Sequence, residues 1–510
     1  MRNFSLVAAT LGLLMGALVP VSADAETVET VATDKGVVHG IADQETVVYR
    51  GIPFAAPPVG SLRWRAPQPA RPWTGIRSAE TFGNSCISID AKARPGAPPE
   101  SEDCLFLNVS RPRTTAAKLP VMVWIYGGSL TSGSSANPQF DGRTFNRNGV
   151  ILVSFNYRLG MLGFFSHPAI TKANADGGGF HNYGLMDQIA ALEWVKRNIA
   201  AFGGDPDRVT VFGESAGGAS VYALMASPPA RGLFSGAIVE SGYGRKPYKF
   251  ISGLAPLATS SAEQDGIEQL RSIGITSDDL AVLRAVPAQA FKNRPGPVTG
   301  HLFAVDGKTL ASDVWSVFRA GKEAPVPLIV GSNSEEGPAA SDLDSPYFAA
   351  TLPYVHKEER GRLAASYGGQ VAVLLNLGSD ISFVETARQL AAFHIANGYR
   401  AWRYRFSVVT DALKPTQGGA RHAGEIPYVF DTLKTMRVPT TATDQKVADQ
   451  MNAYWSAFAR RSTPSVDGLP AWPAAEGDML MDFTEQGPSP KIDPRAEELK
   501  ALGRIADPRS

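Results

Sequence analysis

Short apolar, β-branched runs recur along the chain at 121–126, 150–155, 209–212, 237–239, 328–330 and 402–406. Runs of this length suit buried strands. Between them lie segments of helical character. In 187–202, Ile189, Leu192, Val195 and Ile199 recur at near-helical spacing before Gly203-Gly204, a helix stop. Strands alternating with helices predict an α/β architecture: a large, mostly parallel central sheet flanked by helices. Ahead of it, paired β-branched residues at Val37-Val38 and Val47-Val48 predict short antiparallel strands. The proline-rich stretch 53–72 is too rigid for helix and is expected to wrap the surface. No internal repeat is visible. Segments 261–292 and 355–398 read as helical insertions after strand ends, where such sheets build pockets, and are expected to form a partial lid. Residues 26–510 are read as a single domain.

The N-terminus changes the picture. Arg2 precedes an apolar stretch over 6–19, and Ala23-Asp24-Ala25 offers a small-x-small cleavage site. Residues 1–25 therefore read as a signal peptide, with export to the periplasm or beyond. The apolar core is short for a membrane span, so no stable membrane anchor is expected. Lysine plus arginine (49) equals aspartate plus glutamate (49), which gives no support to nucleic-acid binding. The two cysteines, Cys86 and Cys104, form an even count in an exported chain, which favours one disulfide worth about 3 kcal/mol. No Cys-x-x-Cys exists and none of the 7 histidines shows His-x-x-x-His spacing, so no metal site is expected.

The densest chemical signal is Gly213-Glu214-Ser215-Ala216-Gly217, between the β-type Val209-Thr210-Val211-Phe212 and a small, apolar, helix-competent stretch over 218–226. G-x-S-x-G in a strand–turn–helix setting is the nucleophile elbow of an α/β-hydrolase fold. A serine attacks an ester only when a base takes its proton, and that base is usually a histidine oriented by a carboxylate. In this fold the order is Ser, acid, His. His422, in Gly418-Gly419-Ala420-Arg421-His422-Ala423-Gly424-Glu425, follows the last clear strand and is the candidate base. Its rival, His394, sits in apolar Ala391-Ala392-Phe393-His394-Ile395-Ala396 and reads as a core histidine. Glu336 follows the 328–330 strand, but Glu335 stands beside it, and position alone does not say which turns inward. Tyr126-Gly127-Gly128-Ser129 ends a strand with exposed amides, either an ordinary glycine-rich turn or, with the amide of Ala216, an oxyanion hole.

The chain as a whole resembles a type B carboxylesterase, the family that also contains cholinesterases and bile-salt-activated lipases. The resemblance rests on Tyr49-Arg50-Gly51-Ile52-Pro53-Phe54, Ser101-Glu102-Asp103-Cys104-Leu105-Phe106-Leu107-Asn108-Val109 and Asn156-Tyr157-Arg158-Leu159-Gly160. It continues through Asn182-Tyr183-Gly184-Leu185-Met186-Asp187-Gln188 and Phe202-Gly203-Gly204-Asp205-Pro206, covering about 30–485. It implies Glu336 as the acid, His422 as the base, and the N–H groups of Gly128, Ser129 and Ala216 as oxyanion donors. It also implies a Cys86–Cys104 disulfide and structural ion pairs Arg63–Glu102 and Arg158–Asp187. The chain departs from the commonest form of the family, which has Gly at Ser129 and an aromatic at Leu130.

Two further features bear on substrate. The loop 87–103 holds no aromatic residue, so a choline-type cation–π site is not expected there. Arg245-Lys246-Pro247-Tyr248-Lys249 suggests a preference for esters carrying an extra carboxylate. Asn108-Val109-Ser110 fits a glycosylation acceptor but falls in a strand-like match and is expected to be buried. The sequence thus points to an exported serine carboxylesterase acting on a small-molecule ester, without metal or organic cofactor. The alternatives are a lipase for long acyl chains, an amidase with the same triad, and a non-catalytic binding module.

Overall fold

The computed structural model describes residues 27–89, 97–114, 116–177, 181–245, 247–254, 260–292, 303–337, 365 and 376–505. The signal peptide read over 1–25, residues 355–364 and 366–375 of the insertion read over 355–398, and Lys246 lie outside the described residues.

The apolar runs become strands of one sheet, 13-stranded among the described residues. In chain order these are β1 (Thr27–Thr33), β2 (Gly36–Ala42), β3 (Thr46–Pro53), β4 (Ile76–Ser78), β5 (Phe106–Pro112), β6 (Leu119–Ile125) and β7 (Ile151–Phe155). They continue with β8 (Gly204–Glu214), β9 (Gly236–Glu240), β10 (Leu328–Asn333), β11 (Ala401–Phe406), β12 (Met479–Thr484) and β13 (Gly487–Ile492). The spatial order is β1-β2-β3-β5-β7-β6-β8-β9-β10-β11-β12-β13, with β4 beside β2. From β7 to β12 every neighbouring pair is parallel. The antiparallel pairs gather at the two margins. All residues of β7 and β9 are buried, as continuous apolar runs in a doubly covered parallel sheet must be.

Helices α1 (Tyr183–Asn198), α2 (Ala216–Ala226), α3 (Glu385–Ala396), α4 (Ala442–Arg461) and α5 (Ala496–Ile505) pack around this sheet. Helix α1 begins four residues before Asp187, at Tyr183, and the Asp187 carboxylate on its second turn points inward to Arg158. It ends in a 3-10 turn, Ile199–Phe202, closed by Gly203 at φ 85, as the glycine pair predicted. The proline-rich stretch holds only the short 3-10 turn Gly60–Leu62. Within the first insertion the helices Ala262–Ser272 and Leu280–Ala285 form, and Leu270, Leu283 and Phe291 seat a small apolar cluster around Trp64.

Cys86 and Cys104 are disulfide-bonded. Arg63 forks onto Glu102 at 2.7 and 2.5 Å and reaches the Val286 carbonyl in the insertion. Arg158 gives Asp187 two guanidinium bonds, both 2.7 Å, and its own backbone N–H at 3.0 Å. Asn108 lies within β5, buried, accepting from the Gly51 N–H at 3.1 Å and donating to Ser135 and Ser154. Its amide is closed to a glycosyl donor.

The Arg158–Asp187 pair generates a stability prediction. Asp187 is fully buried, so Arg158→Ala would strand an uncompensated carboxylate, at a cost of about 3–5 kcal/mol. Denaturant unfolding should show this as a lower midpoint; an unchanged midpoint would mean that Asp187 protonates or relaxes at little cost.

Candidate active site

The site begins where β8 turns into α2. At the turn the backbone of α2 lies against the end of β6. A Cβ placed on Gly217 would stand 1.9 Å from the Ile125 carbonyl oxygen, and one on Gly213 would meet the Gly217 backbone at 2.6 Å. Only glycine fits at either position. The squeeze leaves Ser215 at φ 57 and ψ −118, a conformation that non-glycine residues rarely hold outside functional sites. Two bonds brace it: the Ser215 N–H donates to the Glu240 carbonyl at 2.9 Å, and its carbonyl accepts from Ala219 at 2.9 Å. The hydroxyl stands at the N-terminus of an 11-residue helix whose dipole favours negative charge there.

The next strands bring up the partners. After β10, the consecutive residues Asn333, Ser334 and Glu335 hold the loop that carries His422. Asn333 Nδ2 donates to the Arg421 carbonyl at 2.7 Å, Ser334 Oγ accepts from the Ala420 N–H at 2.9 Å, and Glu335 Oε2 accepts from the Gly419 N–H at 3.0 Å. Glu335 also forms a parallel bridge with Arg421. That register sets the following pair, Glu336 and His422, side by side. The structure therefore resolves the two adjacent glutamates: Glu335 ties down the loop, and Glu336 turns inward. Glu336 Oε2 lies 2.6 Å from His422 Nδ1, and His422 Nε2 lies 2.8 Å from Ser215 Oγ. The other carboxylate oxygen, Oε1, accepts from Ser241 Oγ at 2.5 Å and from the Asn333 N–H at 2.6 Å.

Past β6, Gly128 adopts φ 104, and a Cβ there would stand 2.3 Å from the Ser132 carbonyl. Ser129 and Leu130 follow at φ 56 and 55, two non-glycine residues in the left-handed region. The Gly128 carbonyl accepts from the N–H groups of Thr131 and Ser132, which curls the loop. Among the described residues the N–H groups of Gly128, Ser129 and Ala216 donate to no protein acceptor.

Several residues at the site escaped the sequence reading. Glu214, the variable position of the elbow motif, places Oε1 3.2 Å from His422 Nε2. Glu425, three residues after His422, accepts from Asn333 Nδ2 at 2.5 Å. Glu240 accepts from Trp455 Nε1 at 2.8 Å. Burial pushes the Glu214 carboxyl up to about 8 against the pull of His422, and burial beside Glu336 raises Glu425 to about 7. Burial and then Glu425 hold Glu240 well above the usual carboxylate range. For His422, burial favours the neutral ring, but Glu214, Glu336 and Glu425 outweigh it and lift the imidazolium to about 10. Phe383 lays its ring on the imidazole, with centroids 4.7 Å apart. Glu214 and Glu425 sit inside motifs already singled out, and their acidity was the available signal. Phe383 carried none.

Two sequence expectations resolve differently. His394 is fully buried in α3, with Nδ1 3.0 Å from Glu323 and Nε2 2.9 Å from the Val326 carbonyl, as a core histidine should be. Two charges of the suggested carboxylate-binding group, those of Arg245 and Lys249, are already engaged. Arg245 is buried, ion-paired with Glu385 and stacked on Trp315 at 4.3 Å; Lys249 is 2.5 Å from Asp265. Both are anchors of the fold, and the ester preference inferred from them lapses. Among the described residues no cluster of His, Cys, Asp and Glu could hold a metal ion, and no helix is long and apolar enough to cross a membrane.

The carboxylesterase family model matches residues 27–348 and 354–501. The chain is 36% identical to the fumonisin B1 esterase of Sphingopyxis macrogoltabida, over 93% of this chain and 90% of that one. It is 34% identical to the para-nitrobenzyl esterase of Bacillus subtilis, over 88% and 93%. The solved carboxylesterase Est55 of Geobacillus stearothermophilus superposes with a TM-score of 0.80 at 31% identity, covering 93% of this chain and 99% of that one. The chain has the α/β-hydrolase fold, belongs to the carboxylesterase family and is a carboxylic ester hydrolase.

Proposed function

We propose that the protein is an exported serine esterase that cleaves small-molecule carboxylic esters through an acyl-enzyme. The observation that carries this reading is the unbroken chain from Ser215 Oγ through His422 to Glu336, with contacts of 2.8 and 2.6 Å. Neutral His422 takes the hydroxyl proton at Nε2 as Ser215 Oγ bonds to the ester carbonyl carbon. Glu336 fixes the ring through Nδ1 and stabilises the imidazolium as it forms. The carbonyl oxygen becomes an oxyanion held by the unspent N–H groups of Gly128, Ser129 and Ala216, each such donor being worth about 3–4 kcal/mol. His422 then returns the proton to the departing alkoxide. Water repeats the cycle on the acyl-enzyme, releasing the carboxylic acid and restoring Ser215. No step in this scheme calls on a metal or an organic cofactor. Export rests on the signal-like sequence 1–25, with cleavage after Ala25.

Hydrolysis of a graded p-nitrophenyl ester series tests the reading. Wild type should turn over short-chain esters, and Ser215→Ala should lose about 10⁵-fold or more in kcat. A folded wild type inactive on every chain length would sink the proposal, and turnover rising with long chains would favour the lipase alternative.

The Glu214 contact gives a signed pH prediction. Activity requires the neutral imidazole, and a carboxylate 3.2 Å from Nε2 favours the charged ring. Glu214 ionises at about 8, below His422 at about 10, so it is charged where His422 loses its proton. Glu214→Gln removes that charge at constant shape, and His422 should deprotonate more easily. The acid limb of the kcat/KM profile should move down by about one pH unit. A limb that stays or moves upward would show that Glu214 does not bear on the base.

A further inference from the structure

The segment leading into α3 is not a regular helix. Residues Asp380–Val384 form a π-turn, which holds an extra residue relative to an α-turn. Such turns are rare and, where they occur, are frequently at functional sites. Here both ends are held. At the N-terminal end Asp380, almost wholly buried, receives both arms of Arg495, Nη1 at 2.9 Å and Nη2 at 2.6 Å. At the C-terminal end Glu385, fully buried, pairs with Arg245. Thr386 Oγ1 adds a bond to the Ile381 carbonyl at 2.8 Å.

Arg495 is itself anchored to the sheet. Its backbone N–H donates to Asp493 at 3.0 Å, and Asp493 is paired with Arg403 of β11 at 2.6 Å. It stands at the head of α5, whose Leu499 and Leu502 are fully buried, and also touches Glu498 at 2.9 Å. In the middle of the turn that Arg495 braces sits Phe383, the ring that lies on His422 and also faces Tyr243 edge-on at 6.4 Å.

From this chain of contacts we infer that Arg495 is a positioning residue for His422, acting through Asp380 and the π-turn on Phe383. The inference rests on the esterase reading above. One residue of helix is about 100° of rotation, so relaxation of the π-turn to α would swing Phe383 off the imidazole. The base would then lose the packing that limits its swing away from Ser215, while the elbow, braced by Glu240 and Ala219, stayed in place. Arg495, at the head of α5, thus sets the chemical step from outside the site.

The test is a double-mutant cycle on the full chain, read as kcat and KM on p-nitrophenyl acetate and butyrate well below the melting temperature. Arg495→Ala should lower kcat about tenfold on both esters with KM within twofold. Arg495→Lys, which keeps the charge and loses the fork, should recover part of that loss. Phe383→Ala should also lower kcat, and adding Arg495→Ala to it should cost less than a further twofold. An Arg495→Ala enzyme that melts earlier but keeps kcat within twofold of wild type would overturn the inference, as would losses that multiply in the double variant. If Arg495→Ala does not fold, Asp380→Asn carries the same cycle with the same expectations. A wild type with no turnover would strike the esterase reading itself; a normal wild type with an unaffected Arg495→Ala strikes only this inference.

Discussion

Everything at the site follows from how closely α2 approaches the sheet. There is no room for a single methyl group between the Gly217 backbone and the Ile125 carbonyl. That contact forces the chain to reverse within one residue after β8, and Ser215 takes up the strain at φ 57. The same reversal points the Ala216 amide and the helix N-terminus at the serine hydroxyl. It also brings the Glu240 carbonyl within reach of the Ser215 N–H. A looser packing would keep the fold and lose the geometry.

The sequence made the strands legible where they are covered on both faces, because burial there demands largely apolar runs. The six runs all lie within strands or overrun their ends by a residue. The far margin was harder. β13 carries Pro488 and Pro490 in Gly487–Ile492, a segment with no apolar run, and proline is tolerated there because this is an edge strand. The site divided the same way. Ser215 and His422 stood out because their motifs are local. The choice between Glu335 and Glu336 needed the family resemblance, since it depends on a bridge to Arg421 more than eighty residues downstream. Ser241, Asn333 and Phe383 reach the site through tertiary contacts, which leave no periodic trace in a sequence.

Around His422 the chain has gathered Glu214, Glu240, Glu336 and Glu425, all buried. Four negative charges cannot share so small a dry volume. The raised positions of Glu214, Glu240 and Glu425 are the physical answer: burial and mutual repulsion favour the protonated acids. Glu336 differs in its company. It accepts from His422, from Ser241 and from the Asn333 backbone. The environment, not the residue type, separates an acid that orients a base from acids that surround it.

The sheet order has an evolutionary reading. Ser215 leaves β8, Ser241 follows β9, Glu336 follows β10, and His422 hangs from a loop that β10 pins after β11. Four adjacent strands therefore deliver the reacting groups to one edge, and the spacing between hydrogen-bonded strands sets their separation. The chain between those strands can lengthen with little effect on that spacing, since loop-closure entropy grows only with the logarithm of length. A lineage built this way can rewrite its pocket by inserting residues between strands while the reactive edge stays fixed. Diversification of substrate and conservation of chemistry are then carried by different parts of one polypeptide.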